Sequence, residues 1–107
     1  MAVNEDIIIE QGATFSKIFT IDNIDLSTFS ARAQGRTTHA STTTAITFTA
    51  TTAYTPPDST ITIQLTATQT AALAAPSSGV FDVEYFFGAF VGRGVEGSYT
   101  VTPEVTR

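Results

Sequence analysis

The chain has one histidine, His39, in the stretch "THAST", two residues before Ser41. A serine and a histidine are the minimum for nucleophilic catalysis, provided the base reaches the hydroxyl and a third group orients the base. Near neighbours in a polar loop do not meet that geometry, and no other residue completes it, so His39 reads as a solvated loop residue. Asp22, Asn23 and Asp25 offer oxygen ligands of the kind Ca²⁺ takes. They miss the ladder of acidic positions that closes with a glutamate in an EF-hand, and read as a turn. Asp82 and Glu84 lie two apart and share one face of a strand. Paired carboxylates hydrolyse glycosides when they flank a cleft, but two on an open strand surface read as a solvated face.

The remaining motifs are weaker. "GRGVEG" has glycines, but no Lys-Ser/Thr and no following helix, so it is no phosphate loop. Its Gly92-Arg93-Gly94 reads as a tight hairpin turn. Arg32 and Arg36 share a face with Gln34 and are expected to pair with Asp82 or Glu84 on a neighbouring strand. The alternative is a basic stripe offered to a partner. Thr47-Phe48-Thr49 and Thr60-Ile61-Thr62 would set threonines in a flat array like an ice-binding surface, but the regular repeat of a solenoid is missing. These residues predict no enzyme, no metal site and no cofactor.

Bulk properties narrow the partners. Five Lys and Arg against ten Asp and Glu give 107 residues a net charge of −5. Phosphate contacts dominate nucleic-acid affinity, so no nucleic-acid partner is expected. The chain has no cysteine, which removes disulfides and thiolate chemistry. "MAVNEDIIIEQG" is acidic and lacks the basic region of a signal peptide. No apolar run nears the roughly 20 residues of a membrane span. The expectation is a protein without a signal peptide and with no membrane partner.

The elements that must position any site are strands. Period-two alternation recurs along the chain. Phe15, Phe19 and Ile21 share a face that Lys17 interrupts; Phe29, Ala31 and Ala33 share another. Ile46, Phe48 and Ala50, then Ile61, Ile63 and Leu65, then Phe81, Val83, Tyr85 and Phe87 continue the pattern. Phe86 and Phe90 are the exceptions, aromatics that the alternation leaves outside the core. Thr66-Ala67-Thr68-Gln69 is a capping box ahead of an alanine-rich run ending at Pro76, which predicts one short helix over about 67–74 with Leu73 as its anchor. About seven strands with turn signals at roughly ten-residue intervals predict an all-β, Ig-like antiparallel sandwich. It is expected to be a single domain over 1–102, followed by a C-terminal docking tail over 103–107.

The order of four fragments resembles a known group. "EQGATFSKIF", "IDLSTFSARAQGR", "GVFDVEYFF" and "GSYTVTPEVTR" are similar to the β-sandwich N-terminal domain of tailed-phage baseplate upper proteins, and to short stand-alone relatives encoded among tail genes. The resemblance implies a virion structural protein, made in the host cytoplasm, that serves as an adaptor in the tail, baseplate or fibre-attachment region. Its partners would be other virion proteins and copies of itself in a symmetric assembly. A capsid decoration (cement) protein is the first alternative. A carbohydrate-binding module for host adsorption, built on Tyr54, Tyr85 or Phe86, is the second. Within the adaptor reading, Phe86, Phe90 and the tail Pro103, Glu104, Val105, Thr106 and Arg107 are the expected protein contacts. Pro103 would end strand pairing, Val105 would fill a neighbour's pocket, and Arg107 would add polar contacts.

Overall fold

Alternating burial turns the sequence pattern into two facing layers. The computed structural model describes residues 3–41 and 44–104. Its elements are β1 (Val3–Asn4), β2 (Ile7–Glu10), β3 (Phe15–Ile21), β4 (Ser30–Arg36), β5 (Ile46–Thr55), β6 (Asp58–Leu65), α1 (Ala67–Ala71), β7 (Ser77–Phe87) and β8 (Phe90–Thr102). Ile7 and Ile9, Phe15 and Phe19, Ile46 and Phe48, Ile61, Ile63 and Leu65, and Phe81 and Val83 all point inward and are buried. Their alternate neighbours face outward, as half-buried strands require. Burial of these side chains, at about 1.5–3 kcal/mol each, holds the layers together.

The strands follow one path, β1–β8–β7–β4–β5–β6–β3, with β2 also on β8. β5 turns the corner. Its first residues pair with β4 through Ala33–Phe48 and Gly35–Ile46, and its later ones pair with β6 from Thr49 to Thr55. One layer of the sandwich is therefore β1/β2, β8, β7, β4 and the start of β5; the other is the rest of β5, β6 and β3. Over the described residues the chain is all-β with one short helix, an Ig-like sandwich wrapped far enough to approach a barrel. The seam between the two ends of the path is bridged by Lys17 of β3 and Glu5, 3.0 Å apart. Lys17 takes an inward-facing position on an edge strand, where a charge discourages pairing with foreign strands.

Local chemistry closes the corners. The capping box forms as its spacing predicts: Gln69 N–H donates to Thr66 Oγ1 at 3.1 Å, and Thr66 N–H to Gln69 Oε1 at 2.8 Å. Ser59 is fully buried. Its hydroxyl donates to the Ile24 carbonyl (2.7 Å) and accepts from Leu26 N–H (2.9 Å), pinning the β3–β4 loop to β6. Thr70 Oγ1, also buried, donates to the Ala13 carbonyl at 2.8 Å and ties α1 to the β2–β3 turn. In that turn Gly12 has φ of 83°, the left-handed conformation that favours glycine, and its open side faces the Glu104 carboxylate.

The structure differs from the sequence expectations in several details. β1 and β2 run parallel to β8, so the sandwich is not purely antiparallel. The helix stops at Ala71, with Ala72 as C-cap, instead of reaching 74. Leu73 does pack against the core from just beyond it. Gly92-Arg93-Gly94 is not a turn. It lies inside the 13-residue β8, where a register shift opposite Val83/Glu84 makes a bulge. The glycines serve packing there: a Cβ at Gly92 would meet the Tyr85 ring, and one at Gly94 would crowd Ile21 at 3.1 Å.

Candidate interaction surface

The core face of β7 outruns the layer opposite it. Phe81 and Val83 are buried, Tyr85 is half-buried, and Phe87 is 61% exposed. Beyond Phe87 the chain turns through Gly88-Ala89 into Phe90. Gly88 has φ of 58°, as the first central residue of a type II′ hairpin requires. Phe87 and Phe90 are cross-strand partners and so share a face.

Phe29, just before β4, gathers this face into a cluster. Its ring lies 5.8 Å from Tyr85, 5.8 Å from Phe87 and 5.9 Å from Phe90, and Tyr85 and Phe90 are 6.2 Å apart. Such tilted and edge-to-face pairs add about 0.5–1.5 kcal/mol each beyond burial. Phe29 is held from behind: its N–H donates to the Leu26 carbonyl, and its carbonyl accepts from Thr52 Oγ1. Since Leu26 is pinned by Ser59, a buried hydroxyl sets the position of a surface ring.

Phe90 is 54% exposed, on the projecting hairpin. Phe86 points to the opposite face, where it is half-buried beneath Arg32, whose guanidinium carbon lies 4.9 Å from the ring centre. Val91 is Phe86's cross-strand partner and is 50% exposed. The tip is therefore apolar on both faces. Tyr85 and Phe86 point to opposite sides of β7, and the exposed Tyr54 belongs to β5. The three aromatics considered for a sugar platform do not share one face.

Pro103 is exposed, and Glu104 is tied to its own chain: its N–H donates to Gln11 Oε1 at 3.2 Å, while Gln11 Nε2 donates to the Leu73 carbonyl at 2.9 Å. Gln11 thus joins the turn, the end of the helix and the C-terminal segment, which the sequence did not signal. Val105, Thr106 and Arg107 lie outside the described residues.

The structure brings most of the polar candidates to one small cleft of about 70 Å³, lined by Gln34, Arg36, His39, Asp82, Arg93 and Glu96, and leaves the Asp22–Asp25 turn elsewhere. Arg32 Nε pairs with Glu84 at 2.7 Å, as expected from their strand positions. Arg36 contacts Gln34 Oε1 (3.1 Å) and the Ser41 carbonyl. Arg93 reaches Asp82 at 3.6 Å and Glu96 at 3.3 Å. His39 lies exposed in its loop. Among the described residues no three of His, Cys, Asp and Glu group as a metal site. Thr51 and Thr62 face each other, but Gln64 and Ala53 break the threonine array.

Asp82 carries a testable electrostatic consequence. Partial burial, reinforced by Glu84, raises its carboxyl above the ordinary value of 3.8 despite Arg93 and Arg36. A raised carboxyl binds its proton more tightly folded than unfolded, so its ionisation opposes folding as pH rises through the folded pKa. Asp82→Asn is expected to raise Tm modestly at pH 7 and to lose that advantage on acidification below the carboxylate range. Melting curves against pH check this. A variant that melts below the wild type at pH 7 shows that attraction to the arginines outweighs burial. Asp6 behaves oppositely: the Ser98 hydroxyl and N–H hold its carboxyl below 3.8, favouring the fold until acid protonates it.

No family model matches the chain, and no curated protein matches it.

Proposed function

We propose that this chain is a non-enzymatic structural protein of a bacteriophage virion, an adaptor in the tail, baseplate or fibre-attachment region that works through protein–protein contacts. The observation that supports this best is the hairpin tip. Phe87, Phe90 and Val91 are each at least half exposed on one short projection from the sandwich. Contiguous exposed apolar surface marks interaction sites, and aromatic residues are enriched at interface centres. A ladder of 11- and 13-residue strands braces the projection. The fragment order that resembles baseplate upper proteins supplies the virion context. The other partners in this reading are neighbouring virion subunits and copies of the chain itself.

Immunogold labelling of intact particles tests the proposal. Label at the tail end is the expected result. Label over the head would replace the adaptor with a decoration protein. Antigen left entirely in the lysate, absent from particles, would overturn a virion role.

A further inference from the structure

We infer that the aromatic hairpin tip inserts into an apolar cleft at the far pole of a second copy of the chain, so that copies join head to tail. Two observations on opposite ends of β7 and β8 lead here. At one end is the tip, with Phe87 opposite Phe90; at the other, Ser77 is opposite Val101. Beside that second end lies a cleft of about 210 Å³, lined chiefly by Ile46, Ala72, Leu73, Ala74, Tyr99 and Val101. Strands of this length span about 35 Å at roughly 3.3 Å per residue, most of the 42 Å long axis. Tip and cleft are thus the two poles of the molecule.

The area of the tip selects the kind of contact. Its three exposed apolar side chains, Phe87, Phe90 and Val91, each keep at least half of their surface in solvent. With aromatic side chains of about 150–250 Å², the whole tip offers on the order of 300 Å². A stable flat interface buries about 800 Å² per partner, and tip-to-tip stacking would cover only one of its two apolar faces. Insertion into a concavity covers both faces and adds the flanks of the hairpin.

Charge selects the socket. From Phe86 to Gly92 the tip's own residues carry no charge, with Arg32 over Phe86 at its margin, and among the described residues the lining of the cleft carries none. Four other surface clefts each contain charged side chains. Copies with net charge −5 repel one another, so contact between two uncharged patches is the least opposed. Tip-into-cleft contact is heterologous, each copy using one surface of each kind, and it propagates into a ring or a filament. The inference rests on the chain being an assembly subunit. Self-association is read on purified protein and localisation on particles, so either can fail alone.

Sedimentation velocity on the purified full chain is the test. The wild type is expected to form larger species as concentration rises. Phe87→Ser/Phe90→Ser removes the tip but leaves the cleft. Ala72→Glu, at an exposed position, puts a carboxylate in the cleft but leaves the tip. Each variant alone should associate roughly tenfold more weakly or worse, while their equimolar mixture should form a 1:1 dimer and stop. A wild type that stays monomeric, an Ala72→Glu variant that associates like wild type, or a mixture that stays monomeric would overturn the inference. Should Ala72→Glu change the melting curve, Ala74→Glu replaces it.

Discussion

Phe81→Ala is expected to destabilise the fold by about 3–5 kcal/mol, the range for emptying a buried aromatic site. Phe81 is 3% exposed and faces Phe19 across the core, ring centres 6.3 Å apart. The cost depends on whether the surroundings collapse into the space. Here they are poorly placed to do so. On β7 its cross-strand neighbours are Gly35 on one side and Gly97 on the other, so neither partner position has a side chain to lean in, and the space over Gly35 is already taken by the rigid Tyr99 ring. Both neighbouring strands are held by their own ladders. For a domain of about this size each kcal/mol moves Tm by about 4–8 °C, so a drop on the order of 15–30 °C should follow. Urea unfolding with an unchanged slope would attribute the loss to the native state. A loss below about 1.5 kcal/mol would mean that the layers close over the gap after all. Phe87→Ala lies on the same face of β7, toward the hairpin tip. It should lower Tm far less than Phe81→Ala, because most of the Phe87 ring is already in solvent and its contact with Phe29 is what is lost.

Much of this was legible in the sequence, because it depends on local spacing. The alternation Phe81, Val83, Tyr85, Phe87 placed four side chains on one face, and the Thr66–Gln69 spacing set up both capping bonds. Arg32 and Glu84 met as their strand positions implied. What alternation does not contain is where the opposing layer ends. Phe87 and Phe81 look alike in the pattern, yet one is exposed and the other buried. The parallel pairing of β2 with β8 joins residues close to opposite ends of the chain, with no turn to signal it. Glycines mislead in the same way: Gly92 and Gly94 have the composition of a turn, but they make room for Tyr85 and Ile21. Ser59 and Thr70 are polar residues that nothing in the pattern marks as core. Both are buried because each satisfies loop carbonyls that no strand ladder reaches.

Ser59→Ala should cost about 2–4 kcal/mol, although it removes a single oxygen. The substitution leaves the Leu26 N–H and the Ile24 carbonyl without their partner, and an unsatisfied buried group costs about 1–3 kcal/mol. Leu26 is fully buried, so water has little access to its N–H. The effect should not end with stability. The Leu26 carbonyl also accepts from Phe29 N–H, and Phe29 contacts Tyr85, Phe87 and Phe90. Loosening the β3–β4 loop therefore loosens the ring at the centre of the tip. Near-ultraviolet circular dichroism should lose aromatic signal at temperatures where far-ultraviolet signal persists, and self-association should weaken along with Tm. The tip variant Phe87→Ser/Phe90→Ser should weaken association while lowering Tm only through the ring contacts to Phe29 and Tyr85, with the β3–β4 loop still pinned. If Ser59→Ala lowers Tm but leaves both the aromatic signal and association unchanged, the hydroxyl holds the loop without positioning the tip. A loss below about 1 kcal/mol would show that the loop finds other partners for both groups.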